Sequence, residues 1–193
     1  MHDWTRVSDG TFHDFHYSWV LEIKRALRRG LLPEGYYVMA DARLQRTLVI
    51  RHTSGDRIVA MIEILSPGNK SSRHAIRALL DKALAALDGG IHLLLVDVHP
   101  PGPRDPNGIH GLLLDEIGPV EYALGADRPL TAASYIGGPV VDAFVSHFAV
   151  GEPIPPMPLF LTRENYIRVP LEAAYQAAWE DVPPQHQAIL EAP

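Results

Sequence analysis

The chain contains no cysteine among its 193 residues. This absence excludes disulfide bonds, thiol catalysis, and zinc or iron–sulfur sites built on cysteine ligands. Long apolar runs are missing as well: none approaches the ~20 residues that span a bilayer, and the first residues lack the apolar core of a signal peptide. The composition therefore predicts a cytoplasmic protein without a membrane partner.

Positive charge is also scarce. Lysine and arginine total 17 against 23 aspartates and glutamates, which gives a formal net charge of −6. Such a balance argues against a wide surface that holds nucleic acid through phosphate contacts, although a local basic patch could still bind one phosphate. Nucleic acid therefore stays open as a partner, as does a second copy of the chain in a homo-oligomer.

Helices and strands are predicted by the spacing of apolar residues. Apolar positions three and four apart repeat from Phe12 to Leu27 and again from Ile76 to Leu87, so each stretch predicts a helix with one buried face. Short apolar runs bounded by turn residues predict strands. The predicted strands are 36–39, 43–50, 57–65 and 91–98, followed by shorter elements at 130–136, 143–150 and 159–162 and by a helix from Pro170.

The order of these elements predicts the fold class. Strands 43–50 and 57–65 flank a turn and form an antiparallel hairpin. Strand 57–65, the helix after it and strand 91–98 form a right-handed βαβ crossover. We therefore expect an α/β protein: a mixed sheet with an N-terminal helix, this hairpin and this crossover, plus C-terminal strands and a helix.

The domain organisation is predicted from length and composition. A chain of 193 residues suits one domain with a sizeable core. Proline becomes frequent after His99, and Pro153–Pro158 predicts an extended connector. We expect a single domain, 1–193, with an α/β core at 1–125 and a C-terminal meander and helix, 126–193, packed on that core.

One carboxylate interrupts a strand that is otherwise apolar. Glu63 has apolar neighbours on both sides in the run Ile58–Leu65. Removing an unpaired carboxylate from water is strongly unfavourable, so the fold must supply a partner. Two kinds of partner remain open: a basic group such as Arg43 or Arg46, or a metal ion shared with a second carboxylate.

Asp41 is the second carboxylate that could share a metal ion with Glu63. Two carboxylates on neighbouring strands can hold a hard divalent cation such as Mg²⁺, and a lysine beside them can polarise water or a scissile phosphate. A simple hairpin, however, places Glu63 opposite Arg46 or Thr47. Asp41 then needs a bulge or a register shift to reach Glu63.

The turn after this strand is a second candidate site. It precedes a helix whose free N–H groups attract anions, and it carries two basic side chains. It lacks the spaced glycines of a P-loop. Because the βαβ topology brings strand ends to one edge of the sheet, Asp97 and His99 should lie beside it. The candidate anion-binding residues are Ser66, Asn69, Lys70, Ser71, Ser72 and Arg73.

Part of the chain resembles the restriction-endonuclease-like, PD-(D/E)xK superfamily. Ile62-Glu63-Ile-Leu-Ser-Pro is similar to its "VEVLSP"-type strand, 81–87 to its helix with a displaced lysine, and 93–97 to its strand ending in "LVD". The resemblance implies a metal-dependent nuclease or phosphodiesterase. Leu65 stands where the usual catalytic lysine would be, so that role passes to Lys82 or Lys70. Asp41 and Glu63 would bind the metal, with Mg²⁺ as the implied cofactor.

The whole chain also resembles a bacterial domain-of-unknown-function family (DUF4058-like). The marks of that family are Met1–Val7, Thr11–His16, Glu63–Arg73, Pro100–Pro106 and Met157–Leu161. Similar proteins carry a longer segment before the hairpin, where this chain is short. This second resemblance implies a family and no activity.

Two functions from different classes therefore remain open. The first is a metal-dependent nuclease or phosphodiesterase with Asp41, Glu63, Lys82 and Lys70 as catalytic residues. The second is a non-catalytic interaction or anion-binding module that keeps the fold and holds Glu63 in an internal ion pair. The partner of Glu63 and the position of Asp41 distinguish the two.

Overall fold

The computed structural model describes residues 1–41 and 47–192. Arg43 and Arg46, two of the expected partners of Glu63, lie outside these residues. The strands are β1 (Tyr36–Asp41), β2 (Thr47–His52), β3 (Arg57–Ile64), β4 (His92–Asp97), β5 (Leu130–Ile136), β6 (Asp142–Phe148), β7 (Met157–Phe160) and β8 (Tyr166–Val169). The helices are α1 (Asp9–Ala26), α2 (Pro67–Lys70), α3 (Arg73–Asp88), α4 (Gly108–Ile117), α5 (Leu171–Trp179) and α6 (Pro184–Glu191).

The predicted α/β class with a mixed sheet is confirmed. Six strands pair in the order β1-β2-β3-β4-β5-β6, and β7 pairs with β8 in a separate antiparallel ribbon. The β3–β4 pair is parallel and its strands are joined through α3, whereas the other neighbours in the large sheet are antiparallel. β5 and β6 thus extend the sheet that the hairpin and the crossover begin.

Helices cover both faces of the large sheet. α1 and α5 pack on the face that carries Ile62 and Ile64, and α3 and α4 pack on the face that carries Met61. Alternate residues of a strand point to opposite faces, so Glu63 faces α3 together with Met61. Burial of each large apolar side chain in these two layers contributes roughly 1.5–3 kcal/mol, which fixes the faces firmly.

Local signals explain where the main helices begin and end. The Ser8 hydroxyl accepts the N–H of Thr11 at the start of α1, and Ser72 does the same for Ala75 at the start of α3. Such caps satisfy N–H groups that have no partner within the helix. α3 ends at Gly89, and the two residues after it lead into the inner strand β4.

Three helices are absent from the sequence prediction: α2, which lies in the predicted turn, α4 and α6. α4 is apolar almost all round, with the buried residues Ile109, Leu113 and Leu114, so no single stripe marks it. α6 begins at the second of two consecutive prolines and is short. None of the helices in the described ranges is both long enough and apolar enough to cross a membrane.

Candidate functional site

Both carboxylate oxygens of Glu63 have partners inside the protein. Lys82 Nζ lies 2.8 Å from Oε1, and the Thr47 hydroxyl donates to Oε2 at 2.5 Å. Lys82 Nζ also donates to the Thr47 hydroxyl at 3.2 Å. Glu63 is only 6% exposed and Thr47 is buried, so the three side chains form a polar cluster within an apolar layer. We call them the Glu63 cluster.

The register of the hairpin produces this cluster. Leu48 pairs with Ile62, so the next position along the ladder places Thr47 beside Glu63. Lys82 lies on α3, which packs on the same face. The side chain of Lys82 is 21% exposed. The sequence interpretation named the position of Thr47 but not its role.

Asp41 lies one strand further out than Thr47. Asp41 pairs with Thr47 in a β1–β2 ladder that runs without a bulge, so its side chain is on the same face as Glu63. Two strand spacings separate the backbones of Asp41 and Glu63, which is roughly 10 Å. Asp41 forms an ion pair with Arg51, with 3.8 Å between Oδ2 and Nη2.

This arrangement does not fit a resident Mg²⁺. Such an ion needs several oxygen ligands at about 2.0–2.1 Å, whereas Glu63 already binds an ammonium and a hydroxyl, and Asp41 is two strands away. The part of the chain that the structure describes contains no group of three or more His, Asp or Glu side chains placed to hold a metal. Metal binding by Asp41 and Glu63 therefore stays a prediction, and we derive no chemical step from it.

Lys70, the last residue of α2, follows the carboxyl end of β3 and is enclosed by oxygen atoms. Its Nζ is 2.9 Å from Asp97 Oδ2 and 2.8 Å from Asp105 Oδ2. It also donates to the carbonyl oxygens of His99 and Pro100, at 2.9 and 3.3 Å. Both aspartates are buried. Lys70 therefore joins β4 to the segment after it, and its charge is more than balanced.

Burial raises the pKa of Asp97 above its usual value, and the ammonium of Lys70 opposes that shift. The His99 amide also donates to this carboxylate at 3.2 Å. Desolvation thus outweighs the favourable contacts, as expected where a carboxylate is removed from water. The site edge predicted at Asp97 and His99 is a connected group of atoms around Lys70.

The polar groups of the predicted anion-binding turn serve the turn itself. Ser66 and Asn69 form a capping box for α2, with the Ser66 amide 2.8 Å from the Asn69 side-chain oxygen. The Ser71 hydroxyl donates to the Gly68 carbonyl at 2.8 Å, and Ser72 caps α3. Arg73 is exposed to solvent. The basic group left open at this turn is therefore Arg73 and not Lys70.

An open cleft of about 320 Å³ lies at the carboxyl ends of β3 and β4. It is bounded by the turn Trp4–Arg6, the first residue of α1, α2, and the segment 99–105. Open α/β sheets bind ligands at this edge, because loops that follow strands converge there. We call this space the strand-end cleft.

His99 forms part of the wall of the strand-end cleft. Its ring packs edge-on against Phe12, with 4.5 Å between ring centroids, and its Nε2 atom has no hydrogen-bond partner among the described residues. Burial lowers the pKa of His99 to about 4, and Lys70 and His16 add to that shift, while Asp3 opposes it. The ring is therefore neutral at physiological pH, with one nitrogen as donor and one as acceptor.

Arg104 is a cleft residue that the sequence interpretation did not name. It is exposed, lines the cleft and makes no ion pair with any described residue. Its place in a segment directly after a buried strand is the signal that could have indicated it, because such segments form the ligand-binding edge of α/β sheets. Trp4, Val7, Pro67 and Pro103 supply apolar surface nearby.

Comparisons with protein-family models, with curated proteins and with solved structures found no match.

Proposed function

We propose that this protein is a non-catalytic ligand-binding module and that the strand-end cleft is its binding site. The observation that carries this proposal is that both lysines available for catalysis are already paired. Lys82 neutralises Glu63, and Lys70 is held between Asp97 and Asp105. The strand-end cleft, by contrast, offers open space and the exposed guanidinium of Arg104.

The Glu63 cluster has the character of a structural ion pair. A catalytic carboxylate must keep an oxygen available for a metal or a substrate, whereas both oxygens of Glu63 accept hydrogen bonds from within the protein. Buried ion pairs of this kind are costly to break, because the remaining charge loses its partner. The cluster therefore fixes the position of α3 on the sheet.

The nuclease hypothesis stays a prediction with one favourable observation. Lys82 meets Glu63, and Asp41 lies on the same face of the sheet. The resemblance to the PD-(D/E)xK superfamily implies a lysine beside a metal-binding carboxylate, as Lys82 lies beside Glu63. Two observations count against the nuclease hypothesis. Both carboxylate oxygens of Glu63 already have partners, and Thr47 lies between Asp41 and Glu63.

A cleavage assay separates the two functions. Purified protein is incubated with single- and double-stranded DNA and RNA in the presence of Mg²⁺ or Mn²⁺, beside the Glu63→Gln variant. We expect no cleavage above the level of the variant, and no rise in melting temperature when Mg²⁺ is added to the metal-free protein. Metal-dependent cleavage that is lost in Glu63→Gln would overturn the proposal.

We also propose that the protein resides in the cytoplasm, as the composition leads us to expect.

A further inference from the structure

We propose that the strand-end cleft binds a small organic monocarboxylate, with Arg104 holding the carboxylate and the apolar walls of the cleft contacting the rest of the molecule. This inference rests on the proposed function, because it names the ligand class of the same site. It follows from the charges and the walls of the cleft.

The charges select a ligand with one negative group. Lys70 is saturated by two aspartates and two carbonyl oxygens, so it offers no binding energy to an anion. Arg104 is the unpaired cation at the cleft, and a guanidinium matches the two oxygens of a carboxylate. Asp9, in the first turn of α1, also lines the cleft. A second negative charge on the ligand would meet this carboxylate, so a single carboxylate is favoured over a phosphate.

The segment that carries Arg104 is held in place before any ligand binds. Asp105, the next residue, contacts Lys70 and accepts the Gly102 amide at 2.9 Å, and its carbonyl accepts the Gly108 amide at 2.8 Å. A binding group on a rigid support loses less conformational entropy on association. Lys70 is thus a positioning residue for Arg104 and not itself an anion ligand.

The apolar walls of the cleft define the rest of the ligand. Val7, Pro67 and Pro103 line the cleft and offer apolar surface for a ring or a short chain. The His99 ring belongs to the wall, but its Nε2 atom is buried and is not a contact for a ligand. The cleft volume of about 320 Å³ lies at the small end of the ~300–1,000 Å³ range of small-molecule sites. The geometry suits a molecule of about the size of benzoate.

The test uses sodium benzoate as the probe and titration calorimetry at constant ionic strength as the readout. Benzamide serves as the neutral analogue and phenyl phosphate as the dianionic one. Arg104→Gln removes the proposed carboxylate ligand. Arg73→Gln is the matched control, because Arg73 is also an exposed arginine but lies outside the cleft lining. Melting temperatures without probe check that both variants fold as the parent does.

We expect saturable benzoate binding with a Kd on the order of 1 mM, about tenfold weaker in Arg104→Gln and unchanged in Arg73→Gln. Benzamide that binds as well as benzoate would overturn the role of charge. Tighter binding of phenyl phosphate would overturn the monocarboxylate class. A loss in Arg73→Gln alone would move the site to the turn, and no saturable binding of benzoate would overturn the inference. The proposed function fails separately, through metal-dependent cleavage that Glu63→Gln abolishes.

Discussion

The Glu63 cluster predicts an unequal response to loss of its two charges. Lys82→Met keeps the length of the side chain but leaves the Glu63 carboxylate, 6% exposed, with the Thr47 hydroxyl as its one partner among residues 1–41 and 47–192. Removing one member of a buried pair costs about 3–5 kcal/mol, because the other charge stays uncompensated. We expect a loss of this size in the free energy of unfolding.

Glu63→Gln should cost less than Lys82→Met. The Lys82 side chain is 21% exposed and can turn its ammonium toward water once the carboxylate is gone. The loss then reduces to weakened hydrogen bonds to a charged group, about 1.5–3 kcal/mol. The double variant leaves no unpaired charge, so it should be more stable than Lys82→Met alone.

Urea denaturation at pH 7, followed by fluorescence and by circular dichroism, measures these free energies. Lys24→Met is the matched control, because Lys24 lies on α1 and makes no ion pair with any residue in the described ranges; a change within about 0.5 kcal/mol is expected there. A cost below about 1 kcal/mol for Lys82→Met would refute the reasoning, since a buried pair must exceed a surface pair. A double variant, Glu63→Gln with Lys82→Met, that is less stable than Lys82→Met alone would also refute it.

Three further predictions use the same denaturation assay. Lys70→Met leaves two buried aspartates unpaired and should cost about 3–5 kcal/mol; a loss below 1 kcal/mol would contradict the bridging role. The pKa of His99 in the folded protein is lowered to about 4. Between this value and the pKa of the unfolded chain, the unfolded state binds one more proton, so the free energy of unfolding decreases as the pH falls. Between pH 7 and pH 5 this effect lowers the free energy of unfolding by about 2 kcal/mol. His99→Phe should remove that part of the pH dependence, and a variant with the same pH dependence as the parent would contradict the prediction. Gly137→Ala brings a Cβ to 2.5 Å from the Ile91 carbonyl oxygen and should cost about 1–3 kcal/mol, whereas Gly118→Ala meets no atom and should leave stability unchanged.

The fold class was predictable because its elements carry local signals. The stripe on α3, the turn before β3 and the apolar run of β4 each indicate one element, and their order implies the crossover. The pairing of β4 with β5 was not predictable in this way, because it joins residues far apart in the chain. The sequence pattern did not predict α4 for another reason, because an almost uniformly apolar helix has no periodic apolar stripe.

The candidate site was predictable as a place but not as a set of partners. Topology alone put Asp97 and His99 beside the turn after β3, and the structure has them around Lys70. The ion pair between Lys70 and Asp105 joins α2 to the loop that carries Arg104. The spacing of residues along the sequence does not predict a contact of this kind. The partner of Glu63 depends on which way α3 is rotated on the sheet, which packing decides and the local pattern does not.

Diffraction from a crystal soaked in Mn²⁺ tests the central claim most directly. The anomalous signal of the metal locates each bound ion, and the same map shows the position of Lys82. We predict no Mn²⁺ peak at Glu63, with Lys82 Nζ still within hydrogen-bond distance of the Glu63 carboxylate. A Mn²⁺ ion bound jointly by Asp41 and Glu63, with Lys82 displaced, would contradict the account.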